Sequence, residues 1–480
     1  MASSATFTLF ISTSLLLLLL CSLKKGDALE GRQATESRRL QHAHTVKISS
    51  LLPASVCTST KGNIKKASLK VVHRHGPCSQ LSKDKANAPT LSEILSHDQS
   101  RVNSIQSRIA FNSRKNSLED SQATLPSKSG SSLGSGNYFV TVGLGSPKKD
   151  LSLIFDTGSD LTWTQCEPCV RYCYKQQEPT FDPSKSATYS NITCTSPLCS
   201  QLSSATGNSP GCSSTTCLYG IQYGDQSFSV GYFGKEKLTL TSTDVVNDFL
   251  FGCGQNNQGL FRGTAGLLGL GRDKLSLVSQ TSQKYGKYFS YCLPSMSSST
   301  GHLTFGNSGT SSGVKFTPLL TDSQSPSFYF IDITAISVGG RSLSISKSVF
   351  STAGTIIDSG TVITRLPPAA YSAMRTTFRQ LMKNYPMTDA LSILDTCYDL
   401  SNYTTVTIPK INFFFNGNVN VALDLTGILY AASASQVCLA FAGNSDATDV
   451  GIFGNVQQQT LEVVYDVAGG KLGFGPGKCS

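Results

Sequence analysis

Ile154-Phe155-Asp156-Thr157-Gly158-Ser159 returns two hundred residues later as Ile356-Ile357-Asp358-Ser359-Gly360-Thr361. In each copy two apolar residues feed an Asp, a small hydroxylated residue, a Gly and a second hydroxyl. That order describes a buried strand running into a tight loop that presents a carboxylate. One Asp-Thr-Gly is an ordinary turn; two copies, each behind an apolar strand, point to a matched pair of carboxylates. The repeat reaches further. Thr162 and Thr364 stand at the same offset from their Asp, and each half later carries an apolar-apolar-Gly step, Leu267-Leu268-Gly269 and Ile452-Phe453-Gly454. The Asp-to-Gly intervals are 113 and 96 residues, so two related lobes, the first with extra material, are the simplest account.

With these residues the sequence resembles the pepsin-like aspartic proteases, in particular the cysteine-rich plant branch typified by nepenthesin, from about Asn137 to the C-terminus. Trp163, seven residues beyond the first Asp, and Tyr223-Gly224-Asp225, similar to a hairpin flap that closes over substrate, belong to the same resemblance. Gln226 departs from it, since many relatives have Gly there. The implied fold is an all-β, bilobal body of two six-stranded-type lobes around a central cleft, preceded by a prosegment. Tyr138–Val142, Phe328–Ile333 and Leu461–Tyr465 read independently as strands, Ala369–Lys383 as a helix, and 42 glycines suit many short turns.

The implied chemistry is peptide hydrolysis. Without a metal or covalent nucleophile, a water must lose a proton while the carbonyl oxygen gains one or is strongly hydrogen-bonded. If the loops bring Asp156 and Asp358 within about 3 Å, both cannot ionise, and the pair holds a base and an acid together. The roles belong to the coupled pair. Thr157 and Ser359 are expected to bond across the junction, Gly158 and Gly360 to open the turns, and Ser159 and Thr361 to donate to the outer oxygen of the nearer Asp. Tyr223 is expected to cover substrate with its hydroxyl on the Trp163 indole. No cofactor or metal is expected: Cys166-Glu167-Pro168-Cys169 lacks a second ligand pair. Five of six histidines precede residue 98, leaving His302 as the sole candidate base for a Ser or Cys hydrolase, and it reads as a hairpin residue.

The ends carry a separate message. Phe7 to Cys21 is an apolar run too short to span a bilayer and suited to a secretory signal, with cleavage near Ala28; no other segment reads as a span. Its flank lacks Lys and Arg, which keeps a plastid-targeting alternative open. Residues 1–136 hold 18 Lys and Arg against 8 Asp and Glu, whereas residues 137–480 hold 22 against 22, so the net charge of +10 lies entirely before the body. The division expected is a signal at 1–28, a basic prosegment at 29–130, an N-terminal lobe at 137–330 with a Cys-rich insertion at 166–217, and a C-terminal lobe at 331–480. The prosegment would lie over the cleft and neutralise its carboxylates; nucleic acid could bind only through this basic arm. Thr90 and Glu93 form a capping box ahead of Leu91, Ile94, Leu95, Val102, Ile105 and Ile109 at helical spacing. Ser121 to Gly136 is where a protease would nick.

Twelve cysteines follow residue 136, an even count suited to disulfides in the secretory pathway, apoplast or vacuole. The resemblance implies Cys166–Cys169, Cys173–Cys253, Cys194–Cys217, Cys199–Cys212, Cys292–Cys479 and Cys397–Cys438. Asn191 and Asn402 open glycosylation sequons. The leading expectation is a monomeric, secreted endopeptidase made as a zymogen and acting on proteins or peptides. The rivals are a binding or inhibitor protein on the same fold, for which one Asp loop should be eroded, and a plastid DNA-binding protease.

Overall fold

The computed structural model describes residues 42–52, 56–57, 67–83, 89–115, 137–223, 227–259, 261, 263–295, 300–307, 313–477 and 479. The expected signal, its cleavage point, the nicking segment and the flap residues 224–226 lie outside them.

Strands dominate because the sequence alternates short β-branched and aromatic runs with Gly turns. Lys149–Asp156 pairs antiparallel with Tyr138–Leu144 and parallel with Gly266–Gly269, placing Leu268 beside Phe155 and Gly269 beside Asp156. The second half repeats the device: Thr355–Ile357 runs parallel to Gly451–Phe453, with Ile357 beside Phe453. Each apolar-apolar-Gly step is thus the sheet neighbour of the strand that feeds an Asp. The Thr162 hydroxyl accepts from the Gly269 amide at 3.1 Å and the Thr364 hydroxyl from the Gly454 amide at 3.0 Å. This is a bilobal pepsin-like architecture, with the helix Pro368–Leu381 packed on the second lobe.

One sheet is shared between the halves. The C-terminal strands Leu461–Asp466 and Lys471–Pro476 pair with each other, and the former pairs with Tyr288–Cys292. Phe289 stacks on Tyr465 at 4.4 Å between ring centroids, so the junction is a packed aromatic core.

The amino-terminal segment is built into this body more deeply than a draped arm. Ser68–His73 is inserted between Gly301–Phe305 and Tyr138–Leu144, with Lys70 opposite His302 and Val72 opposite Phe139. Ala43–Lys47 adds an antiparallel strand to Thr405–Pro409. The capping box forms: the Thr90 amide donates to Glu93 Oε2 at 2.6 Å and the Glu93 amide to Thr90 Oγ1 at 3.1 Å, opening the helix Leu91–Lys115. Its Val102 and Ile105 pack against Phe328, Phe330, Ile356 and Ile452.

Disulfides correct the implied pairing in the first lobe. Val245–Gln258 runs parallel to Trp163–Gln165 with Cys253 opposite Thr164, which brings Cys253 to 5.3 Å from Cys166 between Cα atoms; these two are bonded, and Cys169 closes a short loop with Cys173. In the insertion Cys199 pairs with Cys217 and Cys194 with Cys212. Cys212 and Cys217 face each other across a hairpin, so spacing could not choose. Burial does: Cys199 and Cys217 share one apolar cluster, while Cys212 is exposed. Cys292–Cys479 and Cys397–Cys438 coincide with the implied pairs, and Cys57–Cys78 adds one within the amino-terminal segment.

Candidate active site

Asp156 ends its strand and Asp358 follows its strand by one residue; both are buried. Their local bonds are the same. Gly158 N donates to Asp156 Oδ1 at 2.9 Å and Ser159 Oγ to Oδ2 at 2.8 Å; Gly360 N donates to Asp358 Oδ1 at 3.0 Å and Thr361 Oγ1 to Oδ2 at 2.6 Å. Across the junction Thr157 N donates to Ser359 Oγ at 3.1 Å and Ser359 N to Thr157 Oγ1 at 2.9 Å, a reciprocal clasp that fixes one loop against the other. Gly158 and Gly360 are needed for close approach: a Cβ on Gly158 would sit 2.8 Å from Asp358 Oδ1, and one on Gly360 2.5 Å from Asp156 Oδ1. Asn455 and Gln458 hold the second loop from behind, donating to the Ser359 and Asp358 carbonyls at 3.0 and 3.2 Å.

Trp163 is completely buried and donates its indole N–H to the Tyr223 hydroxyl at 2.7 Å. Tyr223 lies at the end of the hairpin strand Thr216–Gln222, over the same cavity as Asp156. That cavity, about 80 Å³, is also lined by Arg101 and Arg108 of the amino-terminal helix. Asn191 and Asn402 are both exposed, the first on a two-residue edge strand.

Arg101 is the residue that sequence reasoning missed. Its Nη2 donates to Asp156 Oδ1 at 2.7 Å and to Asp358 Oδ1 and Oδ2 at 3.0 and 2.9 Å, while Nε reaches Asp358 Oδ2 at 3.1 Å. One nitrogen touches both carboxylates. The signal was present: the helix's apolar stripe is interrupted by Asp98 and Arg101, between Leu95 and Val102, and charges in a buried stripe require partners. Burial pushes both carboxyls up, and the Arg101 charge opposes it. For Asp156 that charge, with the Gly158 and Ser159 bonds, prevails and the carboxyl is held below its ordinary value. For Asp358, burial and the neighbouring Asp156 charge prevail and the carboxyl is raised. The two shifts run in opposite directions with Arg101 bridging the carboxyls, and the proton they hold belongs to the pair as a unit. Asp160 was also overlooked. It accepts from Asp273 N at 2.9 Å and from the Ser327 hydroxyl, and burial pushes it up to about 7.

Two duplicated lobes that clasp a pair of buried carboxylates at their junction define an aspartic protease. Residues 138–307 and 328–476 match the family models described as xylanase inhibitor N-terminal and xylanase inhibitor C-terminal. An aspartyl protease family protein of Arabidopsis thaliana is 58% identical over 469 residues, 97% of this chain and 98% of its own length. Aspartyl protease AED1 of the same plant is 52% identical over the same shares, and aspartic proteinase nepenthesin-2 of Nepenthes gracilis is 40% identical over 72% of this chain and 78% of its own. The crystal structure of basic 7S globulin from soybean superposes with a TM-score of 0.56 at 23% identity, over 71% of this chain and 91% of that one, a likeness of fold alone. The chain belongs to the plant pepsin-like aspartic proteases, and it is an aspartic endopeptidase acting on peptide substrates. Among the described residues no helix is long and apolar enough to cross a membrane.

Proposed function

We propose that this chain is a zymogen whose Asp156 and Asp358 are the catalytic pair, held silent by Arg101 until acid releases it. The observation that carries the reading is the single Arg101 nitrogen bonded to both carboxylates, where a water and a scissile carbonyl would otherwise sit. In the processed enzyme the ionised carboxylate takes a proton from water as it attacks the carbonyl carbon. The protonated carboxyl donates to the developing oxyanion, and the pair then returns a proton to the leaving amine. Ser159 and Thr361 aim the outer oxygens, and Tyr223, held by Trp163, covers the substrate.

The pH logic follows from the bonds. Asp156 lies below its ordinary value of 3.8, so its pairing with Arg101 stabilises the closed form above that value and is lost as the pH falls beneath it. Asp358 is raised, so ionising it weakens the closed form as the pH rises through its folded value; Arg101 offsets part of that cost. Strong acid therefore frees the helix by removing the negative charge that Arg101 answers. Secretion rather than a plastid route is supported by the disulfides, which include Cys57–Cys78 in the amino-terminal segment itself. The test is cleavage of a chromogenic peptide by the purified full chain. Silence at pH 7, and activity with shortening of the chain after incubation near pH 3 to 4, are expected; equal activity of the unshortened chain at both values would refute latency.

A further inference from the structure

The amino-terminal helix enters the cleft with two charged side chains, and latency at the Asp pair uses only one. Asp98, one turn before Arg101, is completely buried. Its Oδ1 accepts from Val362 N at 2.6 Å, and its Oδ2 from Ile363 N at 3.0 Å and from Arg365 Nη2 at 3.0 Å. Arg365 is 1% exposed; its Nη1 donates to the Ile363 carbonyl at 2.7 Å, its Nη2 also reaches Gln99 Oε1 of the helix at 3.4 Å, and its Nε has no hydrogen-bond partner among the described residues. The charge acting on it in the folded chain is that of Asp98. Around the pair lie Ile94 and Leu95 of the helix and Ile363, Leu391, Leu394 and Tyr430 of the second lobe.

Removal of the helix would leave three donors converging on a point that no longer holds a carboxylate, one of them a guanidinium set in apolar walls. An unanswered buried cation is costly, and a carboxylate is the group that matches its geometry and the two amides together. The position in the fold argues the same way. Arg365 stands seven residues beyond Asp358, as Trp163 stands seven beyond Asp156, and Trp163 faces the cleft by holding Tyr223.

We infer that Val362 N, Ile363 N and Arg365 form an anion subsite of the processed enzyme that takes an Asp or Glu side chain of the polypeptide substrate, Asp98 being its internal occupant beforehand. The inference rests on the protease reading and adds a specificity to it. Residues three apart on a helix lie about 5–6 Å from each other, and an extended substrate advances about 3.3 Å per residue. The acidic side chain therefore falls about two residues from the scissile bond.

The experiment uses the full chain, self-processed in acid and then assayed near pH 5.5. Two peptide series carry either Glu or Gln at each of three positions on both sides of one cleavage site. At one position, about two residues from the cut, Glu is expected to exceed Gln in kcat/KM by about tenfold or more. The advantage should fade as the pH drops through the carboxylate range. Arg365→Gln should bring the Glu/Gln ratio close to one and Arg365→Lys should keep part of it, a readout that a merely structural role would not move. If Arg365→Gln does not fold, the wild-type series decides. Cleavage of the Gln peptides with no Glu advantage at any position overturns the subsite and leaves the protease standing, as does an undiminished ratio in Arg365→Gln. Loss of cleavage of both series in Asp358→Asn ties the measured activity to the pair itself.

Discussion

The loop at Asp156 and the loop at Asp358 hold their carboxylates by the same two kinds of bond, a glycine amide and a hydroxyl, and one clasp joins them, yet their surroundings diverge within a few residues. Four positions past the Asp, the first loop has Asp160, a buried carboxyl pushed up to about 7, where the second has Val362, whose amide binds Asp98. Seven positions past, the first has Trp163 holding Tyr223, and the second has Arg365 holding Asp98. In the first lobe the seventh position holds a tyrosine over the cleft, and in the second it makes a charged contact with the amino-terminal helix. The two loops share the geometry of the pair and differ at their rims, so the cleft has two unlike sides.

The largest expected effect tests where the loops are equal. Asp156→Asn and Asp358→Asn should each lower kcat by about 10²–10⁴-fold or more, measured on a chromogenic peptide near pH 3.5. A variant retaining near-full turnover would break the pair. Next comes the residue that touches both loops. Arg101→Met leaves the buried carboxyl pair without its cation, a change worth roughly 3–5 kcal/mol. The unprocessed chain should melt earlier at pH 7 and shorten itself at a higher pH than the wild type. An unchanged processing profile would remove Arg101 from latency.

Ser159→Ala and Thr361→Ala sharpen the comparison. Each deletes one donor to a carboxyl oxygen of the pair, so each should cost about tenfold in kcat/KM and raise the pKa of its own Asp. The two variants should therefore each shift the pH–rate profile of the pair toward higher pH. Asp160→Asn is read on stability alone and not on turnover. A carboxyl raised to about 7 contributes stability below its ordinary 3.8 that is lost as the pH rises through 7. The Asn variant should melt later than the wild type above pH 7 and nearly with it at pH 4, read by thermal denaturation at the two values.

The reading from sequence succeeded where a residue's partner lies within a few positions or in its own repeat. Thr90 and Glu93 announced the helix cap, and the apolar-apolar-Gly steps turned out to be the sheet neighbours of the Asp strands. It failed where the partner is remote. Ser68–His73 looked like part of a basic arm, and only the open sheet position between Gly301–Phe305 and Tyr138–Leu144 makes it a strand. The first-lobe disulfides failed for the same reason: Cys166 finds Cys253 because two distant strands lie side by side.

By itself the sequence determined the lobe duplication, the two carboxylates and the hydroxyls and glycines that serve them, because each of those loops is a local structure written in consecutive residues. Only the tertiary structure decided which cation answers the pair, which acid answers Arg365, and how the insertion is stapled. Arg101 and Asp98 are separated from their partners by more than fifty and more than two hundred and fifty residues. A helix delivers them across the cleft as neighbours, and electrostatic pairing depends on distance in space, which folding alone supplies.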